Sequence, residues 1–145
     1  MTYFVTGATG FIGRNLVETL LANREGQIHV LVREGSMERL QELIERWGEP
    51  GRIVPVLGDL TQPRLGVSDE KIADLKGNVD HFFHLAAIYD MTADDATNEK
   101  LNVGGTRHAV ELAARLKAGC FHHVSSVAVA GEHHGAFDES MFDEG

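Results

Sequence analysis

The chain of 145 residues carries 22 acidic against 13 basic residues, a formal net charge of −9, and a single cysteine, about the size of one ordinary domain. Hydrophobic residues at 43% and charged residues at 24% exclude a disordered chain, a collagen-like repeat and a coiled coil, and no apolar run reaches the roughly 18 residues of a membrane span. Basic residues never stand side by side, which argues against a nucleic-acid surface; with no secretory leader pattern at its start, the chain reads as soluble and cytoplasmic.

Tyr3 to Thr6 is β-branched and aromatic and is bounded by Gly7, which predicts a short buried strand. From Phe11 the apolar residues Ile12, Leu16, Val17, Leu20 and Leu21 fall at helical spacing until Asn23 and Gly26 stop the pattern. Ile28 to Val32 predicts a second strand. Met37, Leu40, Leu43, Ile44 and Trp47 then share one face of a second helix, with Ser36 placed to cap it. Ile53 to Leu57 predicts a third strand, which Pro55 sends to a sheet edge because proline cannot donate to the ladder. Residues 61–79 read as a loop with a short helical piece near Glu70 to Leu75, and Asp80 to Leu85 reads as the fourth strand. A long helix from about Asp95 to Lys117, ended by Gly119, and a fifth strand, Phe121 to Val129, complete the alternation. Strands alternating with helices imply right-handed crossovers and a parallel sheet covered on both faces. The lone Cys120, between Gly119 and Phe121, reads as a buried small hydrophobe.

The turn between the first strand and the first helix is Thr6-Gly7-Ala8-Thr9-Gly10-Phe11-Ile12-Gly13, with its glycines three apart. Glycine there lets the backbone turn tightly, approach a pyrophosphate and pack helix on strand, while the helix N-terminus offers free N–H groups to phosphate. Twenty residues beyond Gly13, at the end of the second strand, an acid would hold the ribose 2′-hydroxyl of NAD; the residue is Arg33. A guanidinium suits a 2′-phosphate, which favours NADP(H) over NAD(H), although Glu34 beside it opposes that charge. Arg14, directly after the last glycine, is placed to add positive charge near the phosphates.

With Gly58-Asp59-Leu60, His84-Leu85-Ala86-Ala87, Asn102-Val103-Gly104-Gly105-Thr106 and Val124-Ser125-Ser126 in that order, the chain resembles the extended short-chain dehydrogenase/reductases over its whole length. The stretches Leu31 to Glu34, His81 to Met91 and His122 to Ala128 look like bacterial fatty acyl-CoA reductases and thioester reductases. The resemblance implies a Rossmann-type doubly wound parallel sheet of strand order 3-2-1-4-5 that stops after strand five. Residues 1–131 would form the dinucleotide-binding domain, and residues 132–145 an acidic loop leading toward a catalytic helix and substrate lobe. By the same resemblance Thr6, Gly7, Thr9, Gly10, Phe11, Ile12, Gly13, Arg14 and Arg33 would bind the cofactor. Asp59 would accept from the adenine amino group, the Leu60 backbone would lie beside the ring, and Ala86 and Ala87 would leave room for the diphosphate-ribose. Ser126 would polarise the substrate carbonyl oxygen as hydride arrives, with Asn102 shaping the active-site helix.

The family's Tyr-x-x-x-Lys proton donor has no counterpart: the tyrosines are Tyr3 and Tyr89, followed four residues later by Gly7 and Ala93. The expected function is therefore the N-terminal part of an NADPH-dependent reductase acting on a fatty acyl-CoA thioester or fatty aldehyde, inactive by itself. The alternatives are a non-catalytic NADP(H)-binding module or redox sensor, and a short-chain reductase of sugar-nucleotide, steroid or flavonoid-like carbonyls. An open fifth-strand edge would favour association between copies. His122 and His123 adjoin Cys120, and His133 and His134 follow, but adjacent strand residues point apart and the spacings are not those of a zinc site, so no metal is expected.

Overall fold

The computed structural model describes the backbone of residues 1–85 and 95–124 and the side chains of residues 1–85 and 103–124. Strand β1 (Tyr3–Thr6) is buried along its whole length, as expected of a strand with a neighbour on each side and helices on both faces. Helix α1 (Phe11–Asn23), strand β2 (Ile28–Val32), helix α2 (Met37–Trp47) and strand β3 (Ile53–Leu57) follow. Helix α3 (Asp69–Leu75), strand β4 (His81–His84), helix α4 (Asp95–Leu116) and strand β5 (Cys120–His123) complete the order.

The five strands form one parallel sheet in the order β3-β2-β1-β4-β5. The chain therefore runs outward from β1 through β2 and β3, then crosses back to start again at β4. Pro55 lies on the edge strand, paired in register with Val30, as its missing N–H requires.

Because successive strand residues face opposite ways, β1 feeds two cores. Tyr3 and Val5 join Ile28 and Val30 beneath Val17 and Leu20 of α1 and Leu40 and Ile44 of α2. Phe4 packs on the other face with Phe82, Ile72 and Leu75 of α3, and Leu112 and Leu116 of α4. Phe4 and Phe82 stack with ring centroids 4.7 Å apart, and Phe121 continues the stack at 5.3 Å. Each such buried side chain contributes about 1.5–3 kcal/mol.

Three expectations are corrected. Ser36 makes no side-chain cap: the 3-10 turn Glu34–Ser36 runs straight into α2 and leaves Ser36 at φ −108, ψ 3, outside the extended conformation a cap needs. The side-chain cap is instead on α3, where the Ser68 hydroxyl accepts from the Lys71 N–H at 3.2 Å. Helix α4 is closed at Lys117, not Gly119: Lys117 takes φ +53, its N–H donates to the Ala114 carbonyl at 3.2 Å and Ala118 donates to Ala113 at 3.1 Å, a Schellman closure made without glycine. Cys120 is exposed, because Phe121 takes the face of β5 that packs on Phe82 and turns Cys120 to the opposite one.

The strand bounds differ slightly at the end of the chain. Strand β4 is trimmed by one residue at each end, and β5 begins one residue earlier than expected. The remainder of the expected fifth strand, residues 125–129, and the acidic stretch 132–145 lie outside the described residues. Among the described residues no helix is long and apolar enough to cross a membrane.

Candidate functional site

All the strands run in parallel, so their carboxyl ends share one edge of the sheet, and the reversal of strand order between β1 and β4 opens a crevice there. The glycine turn occupies that crevice. Gly7 leaves β1 at φ +77, a left-handed conformation that favours glycine, and its carbonyl accepts from the Gly10 N–H at 3.1 Å. Gly13 is buried against the same turn: a Cβ there would collide with the Gly7 carbonyl and lie 2.7 Å from the Ala8 Cα. These two glycines are demanded by the fold.

Gly10 is different. It adopts φ −78, ψ 174, open to any residue, and among the described residues a Cβ on it would meet nothing nearer than the Gly7 carbonyl at 3.4 Å. Nothing among the described residues requires glycine at position 10, whereas a close-approaching ligand would. The first turn of α1 holds no acid and no side-chain cap, so its N–H groups and the positive end of its dipole are left for an anion. Phe11 and Ile12 are exposed beside it, at 75% and 55%, and Thr9 is half-buried. The Arg14 Nε is buried without a hydrogen-bond partner among the described residues, an arrangement that costs roughly 1–3 kcal/mol or more unless an acceptor arrives. A cradle without a Cβ, free N–H groups and an orphaned guanidinium nitrogen fit a pyrophosphate.

Arg33 follows β2 and is exposed. It forms no ion pair with Glu34 among the described residues. Asp59 follows β3 on the neighbouring strand. Its Oδ1 accepts from the Thr61 N–H at 2.8 Å and the Thr61 hydroxyl at 2.7 Å. The two bonds, backbone first, with the Arg33 charge adding to them, hold its carboxyl below the usual carboxylate range. Among the described residues none donates to Oδ2. Leu60 is fixed from α4, where the His108 Nδ1–H donates to its carbonyl at 3.0 Å.

Thr6 is fully buried, and its hydroxyl is bonded to His84 Nδ1 at 2.8 Å and accepts from the Leu85 N–H at 3.1 Å. It ties the end of β1 to the end of β4 and so sets the crevice width. Burial, and then the neighbouring His123, push the His84 pKa down to about 4, keeping its ring neutral near pH 7. Sequence reasoning missed this tie, the Thr61 clamp and the His108 bond; the first and last join residues 78 and 48 positions apart, and no local pattern signals them. Ala86, Ala87 and Ser126 lie outside the described residues, and Asn102 is described only as backbone within α4.

A parallel sheet whose switch point carries a glycine turn, a free helix N-terminus and polar groups at the ends of β2 and β3 defines a Rossmann-type dinucleotide-binding domain. Within that class, the chain belongs to the NAD-binding family described as Male sterility protein, whose model matches residues 5–145. It is similar to a linear gramicidin synthase subunit of Brevibacillus parabrevis, 39% identical over 132 residues that make up 85% of this chain and 3% of that protein. Fatty acyl-CoA reductase 1 of Mus musculus is 32% identical over 139 residues, 84% of this chain and 27% of that one. Among solved structures, the terminal R domain from the myxalamid PKS-NRPS biosynthetic pathway superposes with a TM-score of 0.79 at 35% identity, covering 93% of this chain and 37% of that chain. The chain thus resembles the N-terminal nucleotide-binding part of an extended short-chain dehydrogenase/reductase and spans well under half the length of these relatives.

Proposed function

We propose that the chain is the nucleotide-binding part of an NADPH-dependent reductase whose substrate is a carbonyl, most concretely a fatty acyl thioester or the aldehyde derived from it. The observation that carries the reading is Gly10, a glycine that nothing among the described residues requires at the point where a pyrophosphate would pass. The thioester class rests on likeness to a fatty acyl-CoA reductase and to a gramicidin synthase.

When bound, the reduced nicotinamide supplies the hydride. The N–H groups at the start of α1 and the Arg14 Nε hold the pyrophosphate, whose charge the helix dipole favours. Arg33 takes the 2′-phosphate by paired charge-assisted hydrogen bonds, and Asp59, aimed by Thr61, accepts from the adenine amino group through its second oxygen. Ala86 and Ala87 leave space for the diphosphate-ribose, Ser126 donates to the substrate oxygen as negative charge develops there, and Asn102 shapes the helix that faces it.

The test is calorimetric titration of the chain with NADPH and with NADH. NADPH is expected to bind the more tightly, and Arg33→Ala to weaken it about tenfold or more, about 1.4 kcal/mol, while leaving NADH within about threefold. Binding of neither nucleotide refutes the site; equal affinities untouched by Arg33→Ala refute the cofactor preference.

A further inference from the structure

The face of the sheet that carries Tyr3 and Val5 also holds a group of side chains that the nucleotide site does not use. His81 opens β4, and Cys120 and His122 lie on β5, with His81 in register with Cys120 and Phe83 with His122. Residues two apart on a strand share a face, so the two β5 side chains lie beside the His81 ring. The donor atoms of the three residues all lie within 4.8 Å of one another, and His81 Nδ1 stands 3.1 Å from His122 Nε2.

We propose that His81, Cys120 and His122 form a three-ligand site for a borderline-soft divalent cation, Zn²⁺ in the first instance. Two imidazoles and a thiolate are the donor chemistry that selects such ions over Mg²⁺ or Ca²⁺. On a tetrahedral zinc with bonds of about 2.0–2.3 Å, ligand atoms stand roughly 3.3–3.7 Å apart. The imidazole nitrogens are already near that separation, and the sulfur reaches it by a movement of about 1 Å. Ladder pairing fixes the backbone on which all three sit: the Cys120 N–H donates to the Asp80 carbonyl at 2.9 Å.

The rings are also held in place before any ion arrives. Tyr3 stacks on His81 at 5.8 Å, His81 on His122 at 5.3 Å, and His122 on Phe83 at 4.5 Å. Freezing the imidazoles in a stack removes rotamer entropy that a flexible site would lose on binding. On binding, the Cys120 proton leaves to solvent and each imidazole carries its single proton on the ring nitrogen away from the ion. Cys120 is exposed, so the fourth coordination position faces solvent. The chain neighbours of Cys120 do not by themselves make such a site; the third donor comes from β4, which only the sheet brings alongside. Nothing here overlaps the glycine turn at the carboxyl edge, so the two sites can fail independently.

The experiment is titration of the reduced full chain with Co²⁺, read by absorption, followed by displacement with Zn²⁺. One equivalent per chain is expected to give a thiolate-to-cobalt charge-transfer band with tetrahedral visible bands, both lost on adding Zn²⁺. Cys120→Ser removes the charge-transfer band, and His122→Gln weakens binding about tenfold or more. His123→Gln, on the opposite face of β5, leaves the titration unchanged. Circular dichroism checks that each variant is folded; should His122→Gln unfold, the exposed Cys120→Ser carries the result. Absence of the thiolate band at one equivalent, a half-equivalent endpoint that marks an ion bridging two chains, or affinity equal in wild type and Cys120→Ser overturns the proposal.

Discussion

Two glycines three residues apart make opposite predictions. In Gly13→Ala the new methyl collides with the Gly7 carbonyl and sits 2.7 Å from the Ala8 Cα, against the about 3.5–4.0 Å of an ordinary carbon contact. Both obstacles are backbone, so relief needs α1 to move by about 1 Å off β1, and the loss of stability is about 3 kcal/mol. In Gly10→Ala the nearest atom among the described residues is at 3.4 Å and the backbone is already extended. The weaker alanine cap and the smaller unfolded-state entropy nearly cancel there, leaving stability within about 0.5 kcal/mol of wild type. The same methyl intrudes where the pyrophosphate would lie, and nucleotide affinity falls about tenfold or more. Urea unfolding of both variants with calorimetric NADPH titration separates the effects. Gly10→Ala binding NADPH like wild type, or losing as much stability as Gly13→Ala, would refute the division of labour between the glycines.

Two further outcomes follow from the buried polar groups. Thr6→Val removes the hydroxyl that joins His84 and the Leu85 N–H and should cost about 1–2 kcal/mol in urea unfolding, with Thr6→Ser retaining most of it; an unchanged midpoint for Thr6→Val would show the tie to be idle. His29 and His84 both have pKa values lowered from 6.5 to about 4, chiefly by burial. The unfolded chain binds protons first as pH falls, so stability is complete above pH 6.5, declines toward pH 4 and loses nothing more to these rings below it. The full shift sets an upper bound of about 3 kcal/mol per ring, reduced to roughly 2 by residual solvent screening. Ring titration followed by NMR decides the matter, and a His84 midpoint near 6.5 would contradict it.

The elements legible in the sequence are those fixed by short-range pattern. The β1, β2 and β3 bounds and the apolar stripe of α2 match their expected residues because alternation, helical spacing and bounding glycines or prolines act within a few positions. The conformation of the turn Thr6 to Gly13, between β1 and α1, follows from its glycine spacing and its flanking elements, and spacing places Arg33 directly after β2. Caps were less legible, since Ser36 and Ser68 are chemically alike and only the conformation preceding each helix decides which one accepts an N–H. Lys117 gave no sign that it would take the left-handed position usually given to glycine. Cys120, the Thr6–His84 bond and the His81–His122 contact depend on which face and which strand lie opposite, and those are properties of the assembled sheet.

The two outer strands differ in what they permit beside them. The Gly58 N–H donates to the Val32 carbonyl, so by alternation along β3 the Pro55 position turns away from β2, presenting a ring where a further strand would need a donor. Strand β5, Cys120–His123, contains no proline. Enlargement of this sheet is thus disfavoured on one side: an added strand beside β3 would meet the Pro55 ring where it needs a donor. A single imino acid closes one border of the architecture to elaboration.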